Sequence, residues 1–154
     1  MHQKILLPLD GSKTSESVLP YVNRLLSSCS EETDKTVIML QVLPAEHSEF
    51  IGGYDIPHMP YNEPEIKSMK ERSEAYLKEK AILLAKQGVK IETRVEFGEP
   101  IERIVEVAEK ADVDFIAMST HGRSGISRWA MGSVADGIIR QDSDIPVFLV
   151  RSRK

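Results

Sequence analysis

Eight residues in a row, Thr36-Val37-Ile38-Met39-Leu40-Gln41-Val42-Leu43, are β-branched or apolar apart from one amide, and this run constrains the fold more than any other stretch. A segment with no polar side reads as a strand covered on both faces, inside a sheet rather than at its rim. Covering both faces takes helices. The flanking sequence offers them in alternation with further strands.

Lys4 to Leu9 is a short apolar run ended by Asp10-Gly11-Ser12, a buried strand entering a turn. Thr14 or Ser15 then caps a helix whose inward face is Val18, Tyr21, Val22, Leu25 and Leu26. Pro20 is tolerated near the first turn if that helix starts late, and kinks it if the helix starts early. After the strand at 36–43 comes an aperiodic connection, Ala45 to Asn62, with Gly52-Gly53, Pro57 and Pro60. Its length points to a lid or to a segment that packs on a partner subunit. Glu63 to Gln87 is rich in Glu, Lys, Ala and Leu and reads as a helix closed by Gly88. Val89 to Glu96 alternates apolar and charged residues, as a half-exposed strand near a sheet edge does. Pro100 opens a helix with Ile101, Ile104, Val105 and Ala108 inward, and Asp112 to Met118 returns as a strand. Gly132 to Gln141 has the Val134 and Ile138 spacing of a helix face, and Ile145 to Val150 is a last strand.

Five strands alternating with four helices imply an α/β protein with a parallel sheet joined by crossovers. At 154 residues the chain suits one domain, 1–154. With 41% hydrophobic and 29% charged residues it has an ordinary globular composition, and no apolar run approaches the ~20 residues that cross a bilayer. The apolar start turns polar too soon for a signal-peptide core, and Cys29 is the lone cysteine, so a cytoplasmic location is expected. A net charge of −4 with interspersed signs argues against nucleic acid as a partner. Cys29 reads as a small residue near a helix end rather than a nucleophile. His47 and His58 are eleven positions apart with no cysteine partner, so no metal site is expected there.

The candidate site is the segment Ser119 to Ser133, which leaves a strand and ends at a helix start. It contains Gly122, Gly125 and Gly132, and glycine lets backbone approach a bulky anion. The first amides of a helix and its dipole favour negative charge. Between Asp114 and Asp136 there is no acidic residue, whereas His121, Arg123 and Arg128 fall in that interval. An anionic ligand such as a phosphate fits this pattern; a plain surface connection with solvated arginines fits it too. Asp10, at the end of the first strand, either caps the following turn or faces a ligand.

From Met118 to Val150 the chain resembles the universal stress protein family, whose nucleotide-binding members carry Gly, two residues, Gly, nine residues, then Gly and Ser or Thr. Here the frame reads Ser119, two residues, Gly122, nine residues, Gly132-Ser133, so Ser119 stands where the first glycine falls. The resemblance implies an open five-stranded Rossmann-like sheet of order 3-2-1-4-5 with helices on both faces. The loops after strands 1 and 4 then flank one crevice, where open α/β sheets bind ligands. It also implies that Pro8, Leu9 and Asp10 face a nucleotide, that the backbone of Val42 pairs with adenine, that Met118 lines the base or ribose pocket, and that Ser119 stands where the first glycine's backbone approaches ribose or phosphate. Gly122 offers room, Gly132, Ser133 and Val134 present amides to phosphates, and His121 and Arg123 or Arg128 add charge. Trp129 reads as a packing anchor.

No phosphate-loop lysine motif, dinucleotide fingerprint or nucleophile elbow is present. The expectation is therefore a non-enzymatic stress-response protein that binds ATP or another adenine nucleotide, with Mg2+ as a candidate companion, and forms a homodimer through its last strand. A nucleotide-free dimeric scaffold and a weak nucleotidase are the alternatives.

Overall fold

The computed structural model describes residues 2–28, 34–47, 50–51, 54–55, 59–85, 88–120 and 132–151. Five parallel strands make the main sheet: β1 (His2–Pro8), β2 (Asp34–Leu43), β3 (Val89–Phe97), β4 (Phe115–Ser119) and β5 (Val147–Val150). Their order is β3-β2-β1-β4-β5, that is, 3-2-1-4-5. β1 pairs β2 from His2↔Asp34 to Pro8↔Leu40 and meets β4 at Ile5↔Phe115 and Leu6↔Ile116. The alternating stretch at 89–97 is the outermost strand beside β2, where one polar side is tolerated.

The pleat sends successive side chains to opposite faces, and here both faces are apolar. Ile5, Leu7, Val37, Met39 and Ala117 enter one core with Val22 and Leu26 of α2 (Leu19–Ser28) and Leu77 of α3 (Glu63–Ala81). Leu6, Ile38, Leu40, Ile116 and Met118 enter the other with Ile104, Val107 and Ala108 of α4 (Pro100–Ala111) and Ala135 and Ile138 of α5 (Ser133–Ile139). Among the described residues no helix is long and apolar enough to cross a membrane.

Element ends differ from the sequence expectation for local reasons. The first helix is two: α1 (Lys13–Glu16), capped by Ser12, and then α2 after a turn at Ser17 and Val18. Pro20 has no N–H to donate to the carbonyl of Glu16, so one continuous helix loses a bond there and restarts. α3 stops at Ala81, not at Gly88. Beyond it Leu83 and Leu84 bond back three residues, to Lys80 and Ala81, and this tighter turn buries Leu84 while Ile82 and Leu83 stay exposed. Gly88, at φ 77°, turns the chain into β3 instead. Asp112, at φ 51°, caps α4, so β4 starts at Phe115. The aperiodic connection folds back on itself, Glu46–His47 pairing Met59–Pro60 and Phe50–Ile51 pairing Tyr54–Asp55. Its exit is set by a capping box, in which Glu65 N–H donates to Asn62 Oδ1 at 3.0 Å and Asn62 N–H to Glu65 Oε2 at 2.9 Å. Cys29, His58 and the segment 121–131 lie outside the described residues.

α4 and α5 meet at Gly137, where a Cβ would collide with Cδ1 of Ile101. Overpacking there costs about 1–3 kcal/mol and alanine's better helix propensity returns about 1 kcal/mol, so Gly137→Ala is expected to lower stability by at most about 2 kcal/mol. Adding Ile101→Val, which removes Cδ1, should recover most of the loss in urea unfolding; a double variant no more stable than Gly137→Ala would refute that contact as the cause.

Candidate functional site

β1 runs into a turn built from short polar side chains. Asp10 Oδ1 accepts the N–H of Ser12 at 2.9 Å and its hydroxyl at 2.6 Å. Ser12 Oγ accepts the N–H of Ser15 at 3.0 Å, which makes Ser12, rather than Thr14 or Ser15, the cap of α1. Ser15 Oγ donates to the Ser12 carbonyl at 2.8 Å and accepts the Asp10 N–H at 3.3 Å. Gly11, at φ 82°, takes the left-handed conformation the turn requires. The capping reading of Asp10 is thus realised, and Asp10 also lies on a cavity wall.

On the other side of β1, β4 ends at Ser119. The N–H of Thr120 donates to the Val150 carbonyl at 2.9 Å, and the N–H of Gly132 donates to the Thr120 carbonyl. The two ends of the intervening segment are therefore held together at the sheet's rim. The Gly132 amide, expected to face a phosphate, donates here to the Thr120 carbonyl instead. α5 starts immediately after it. A helix of this kind leaves the amides of Ser133, Val134 and Ala135 without an intrahelical acceptor.

Between these two turns lies a cavity of about 290 Å3. Pro8, Leu9, Asp10 and Ser15 wall it from the β1 side, Leu40 and Val42 from β2, and Met118, Ser119 and Thr120 from β4. Pro100 and Ile104 of α4 and Gly132, Ser133, Val134 and Ala135 complete it. Nine of the residues singled out from sequence are brought together here: Pro8, Leu9, Asp10, Val42, Met118, Ser119, Gly132, Ser133 and Val134. His121, Gly122 and Arg123, like Gly125, Arg128 and Trp129, lie outside the described residues. Ser15, Leu40, Pro100, Ile104, Thr120 and Ala135 were not anticipated as lining residues. Leu40 was within reach, because it shares a strand face with Val42 two residues on; Pro100 and Ile104 become lining residues only when α4 docks over the sheet.

The ladder also orients Val42. The Leu40 carbonyl accepts the Leu9 N–H at 2.8 Å, toward β1, while the Leu43 carbonyl accepts the Gly98 N–H at 2.9 Å, toward β3. Alternation along the strand turns the Val42 backbone toward β1 again, but β1 has already ended its pairing at Pro8. Those backbone groups consequently face the cavity. Among the described lining residues Asp10 carries the only formal charge; the others are apolar or hydroxyl-bearing.

Behind the Asp10 turn, Tyr76 of α3 donates its hydroxyl to Glu16 Oε1 at 3.0 Å, and Lys80 Nζ lies 3.3 Å from the same oxygen. Burial raises the Tyr76 phenol well above its ordinary value, and the hydrogen bond to Glu16, the Glu16 charge and the Asp10 charge act in the same direction. Among the described residues no group of three or more His, Cys, Asp or Glu side chains is placed to hold a metal ion.

A parallel sheet wound both ways from its centre, with a cavity at the reversal, is a Rossmann-like α/β domain. The universal stress protein family model matches residues 1–151, and the chain belongs to that family. It is 32% identical to universal stress protein MJ0531 of Methanocaldococcus jannaschii, over 100% of this chain and 85% of that protein. It is 30% identical to universal stress protein MJ0577 of the same organism, over 99% and 97%. The solved structure of MJ0577 superposes with a TM-score of 0.75 at 27% identity, covering 100% of this chain and 99% of that one. A universal stress protein solved in complex with cAMP gives 0.65 at 20% identity, over 98% of each chain. The Arabidopsis thaliana protein At3g01520, solved with AMP bound, gives 0.59 at 14% identity, over 98% and 92%. The last two likenesses are of fold.

Because the folded Tyr76 phenol keeps its proton above pH ~10, where the unfolded one loses it, the stability it contributes is complete below that pH and is lost as pH rises further. Urea unfolding between about pH 9 and 11.5 should therefore fall more steeply in the wild type than in Tyr76→Phe. Parallel slopes would contradict the assignment.

Proposed function

We propose that the cavity binds an adenine nucleotide, ATP or a close relative, and that the protein is a nucleotide-responsive stress regulator rather than an enzyme. The observation that carries this reading is the pairing of an apolar slot with a polar rim at the winding reversal. Leu40, Val42, Ile104 and Met118 supply walls for a flat base, and the Val42 backbone offers the edge hydrogen bonds a base needs. Asp10 and the hydroxyls of Ser15, Ser119 and Thr120 suit a ribose, and the Ser133 and Val134 amides suit a phosphate. At about 290 Å3 the space sits at the lower end of the ligand-pocket range. Support of a second kind comes from the relatives of the same fold that hold cAMP and AMP.

Mg2+ commonly reaches such a site on the nucleotide's phosphates with one or two carboxylates, and Asp10 is the carboxylate on hand. The Asp10 Oδ1 bonds to Ser12 favour a positioning role over a catalytic one. His121 and Arg123, or Arg128, in the segment between Thr120 and Gly132, remain the candidates for further phosphate charge. The same reading has two copies pairing through β5, a sheet-terminal strand whose apolar residues need cover, in the cytoplasm.

Calorimetry with ATP, ADP, AMP and cAMP should give saturable one-site binding for at least one of them. Ser133→Trp, at an exposed position on the rim, should fill the mouth and abolish binding with an unchanged thermal midpoint. No heat with any of the four at millimolar concentration would refute the nucleotide reading. Separately, sedimentation should give twice the chain mass; a monomer would remove the β5 dimer.

A further inference from the structure

We infer that Tyr76 is a positioning residue for the cavity, tethering α1 through Glu16 so that ligand occupancy and the docking of α3 are coupled. This rests on the nucleotide reading above and adds a regulatory route to the same site.

The starting point is the length of α1. Four residues cannot sustain a helix unaided, because nucleation costs more than one turn of hydrogen bonds returns. The turn therefore depends on what holds it from each side. From inside, Asp10, Ser12 and Ser15 bond one another, and two of them, Asp10 and Ser15, wall the cavity. From outside, Glu16 takes the Tyr76 hydroxyl at 3.0 Å and Lys80 Nζ at 3.3 Å on one carboxylate oxygen. Glu16 follows Ser15 directly in α1, so the carboxylate that holds the phenol lies one residue from a cavity wall. Lys80 Nζ lies 5.6 Å from the Tyr76 ring centroid, which keeps the ammonium beside the pair.

The far end of the tether is rigid. Leu77, next to Tyr76, is fully buried in the core between α3 and the sheet. A single turn of α3 thus carries both its hydrophobic anchor and its polar hold on α1. α3 is in turn the helix into which the folded-back arm at 46–60 leads. A ligand that engages Asp10 or Ser15 orders α1, and an ordered α1 holds Tyr76 and Lys80 better. Linkage makes the effect reciprocal: whatever loosens α3 weakens the ligand by the same factor.

The test is hydrogen exchange by mass spectrometry together with calorimetry, on the full chain with ATP, ADP, AMP and cAMP. In Tyr76→Phe without ligand, amides at 11–17 should exchange faster while those around Leu77 stay protected. Nucleotide affinity should fall roughly fivefold or more, and the nucleotide-induced slowing of exchange at 75–80 seen in the wild type should vanish. Glu16→Gln keeps an acceptor for the phenol and should retain most of that slowing, which a purely structural loss would not. Lys67→Ala, in an exposed ion pair with Glu71 elsewhere on α3, should behave as wild type. If Tyr76→Phe binds and exchanges like a nucleotide-binding wild type, the coupling falls and the nucleotide reading stands. If the wild type binds none of the four, the nucleotide reading falls and the coupling with it.

Discussion

Ile5, Leu6 and Leu7 follow one another along β1, and none of them exposes any surface. Adjacent strand residues point to opposite faces, so this burial demands cover on both sides of the sheet at once. α2 and α3 provide it on one side and α4 and α5 on the other. Each such side chain contributes about 1.5–3 kcal/mol when removed from water, and β2 repeats the pattern from Val37 to Leu40. Helices on both faces mean that the chain winds outward from β1 in two directions. The cavity is the space left where those directions part.

What occupies the rim of that space follows from backbone accounting. β1 and β4 stop there, and their last amides and carbonyls need partners. Short polar side chains at Asp10, Ser12 and Ser15 meet the need on one side, and the Thr120 to Gly132 bond meets it on the other. The same residues that close the turns thereby line the cavity. Structural and ligand-facing readings of Asp10 are two uses of one carboxylate, which is why the sequence could not separate them.

The strands were legible wherever a residue's surroundings are set by its strand alone. The 36–43 run, the alternation at 89–97 and the short apolar starts each announce how many faces are covered, since that is written in their periodicity. Helix ends were less legible. Pro20 broke a helix that its neighbours' spacing favours, and after Ala81 a tighter turn, rather than a continued helix, places Leu84 in the core. Gly88 and Asp112 carry left-handed backbone for turns whose position depends on where the next strand pairs. Nine candidate residues came together because they flank strand ends, a property that spacing and glycine content make visible. The contribution of α4 did not show, since Pro100 and Ile104 look like any helix start and any core residue.

By itself the sequence determined that this chain is an α/β domain with a parallel sheet covered twice, because hydrophobic periodicity is a local record of burial. It also marked the polar turn at 10–15 and the glycine-bearing segment after β4, since cap chemistry and backbone freedom belong to individual residues. Only the tertiary structure decided that Val42 turns its backbone to the cavity, that the Gly132 amide is taken up by Thr120, and that Tyr76 reaches Glu16 across sixty positions of chain. These depend on register and on how helices dock, which are set by the packing of the whole core and leave no trace in any one segment.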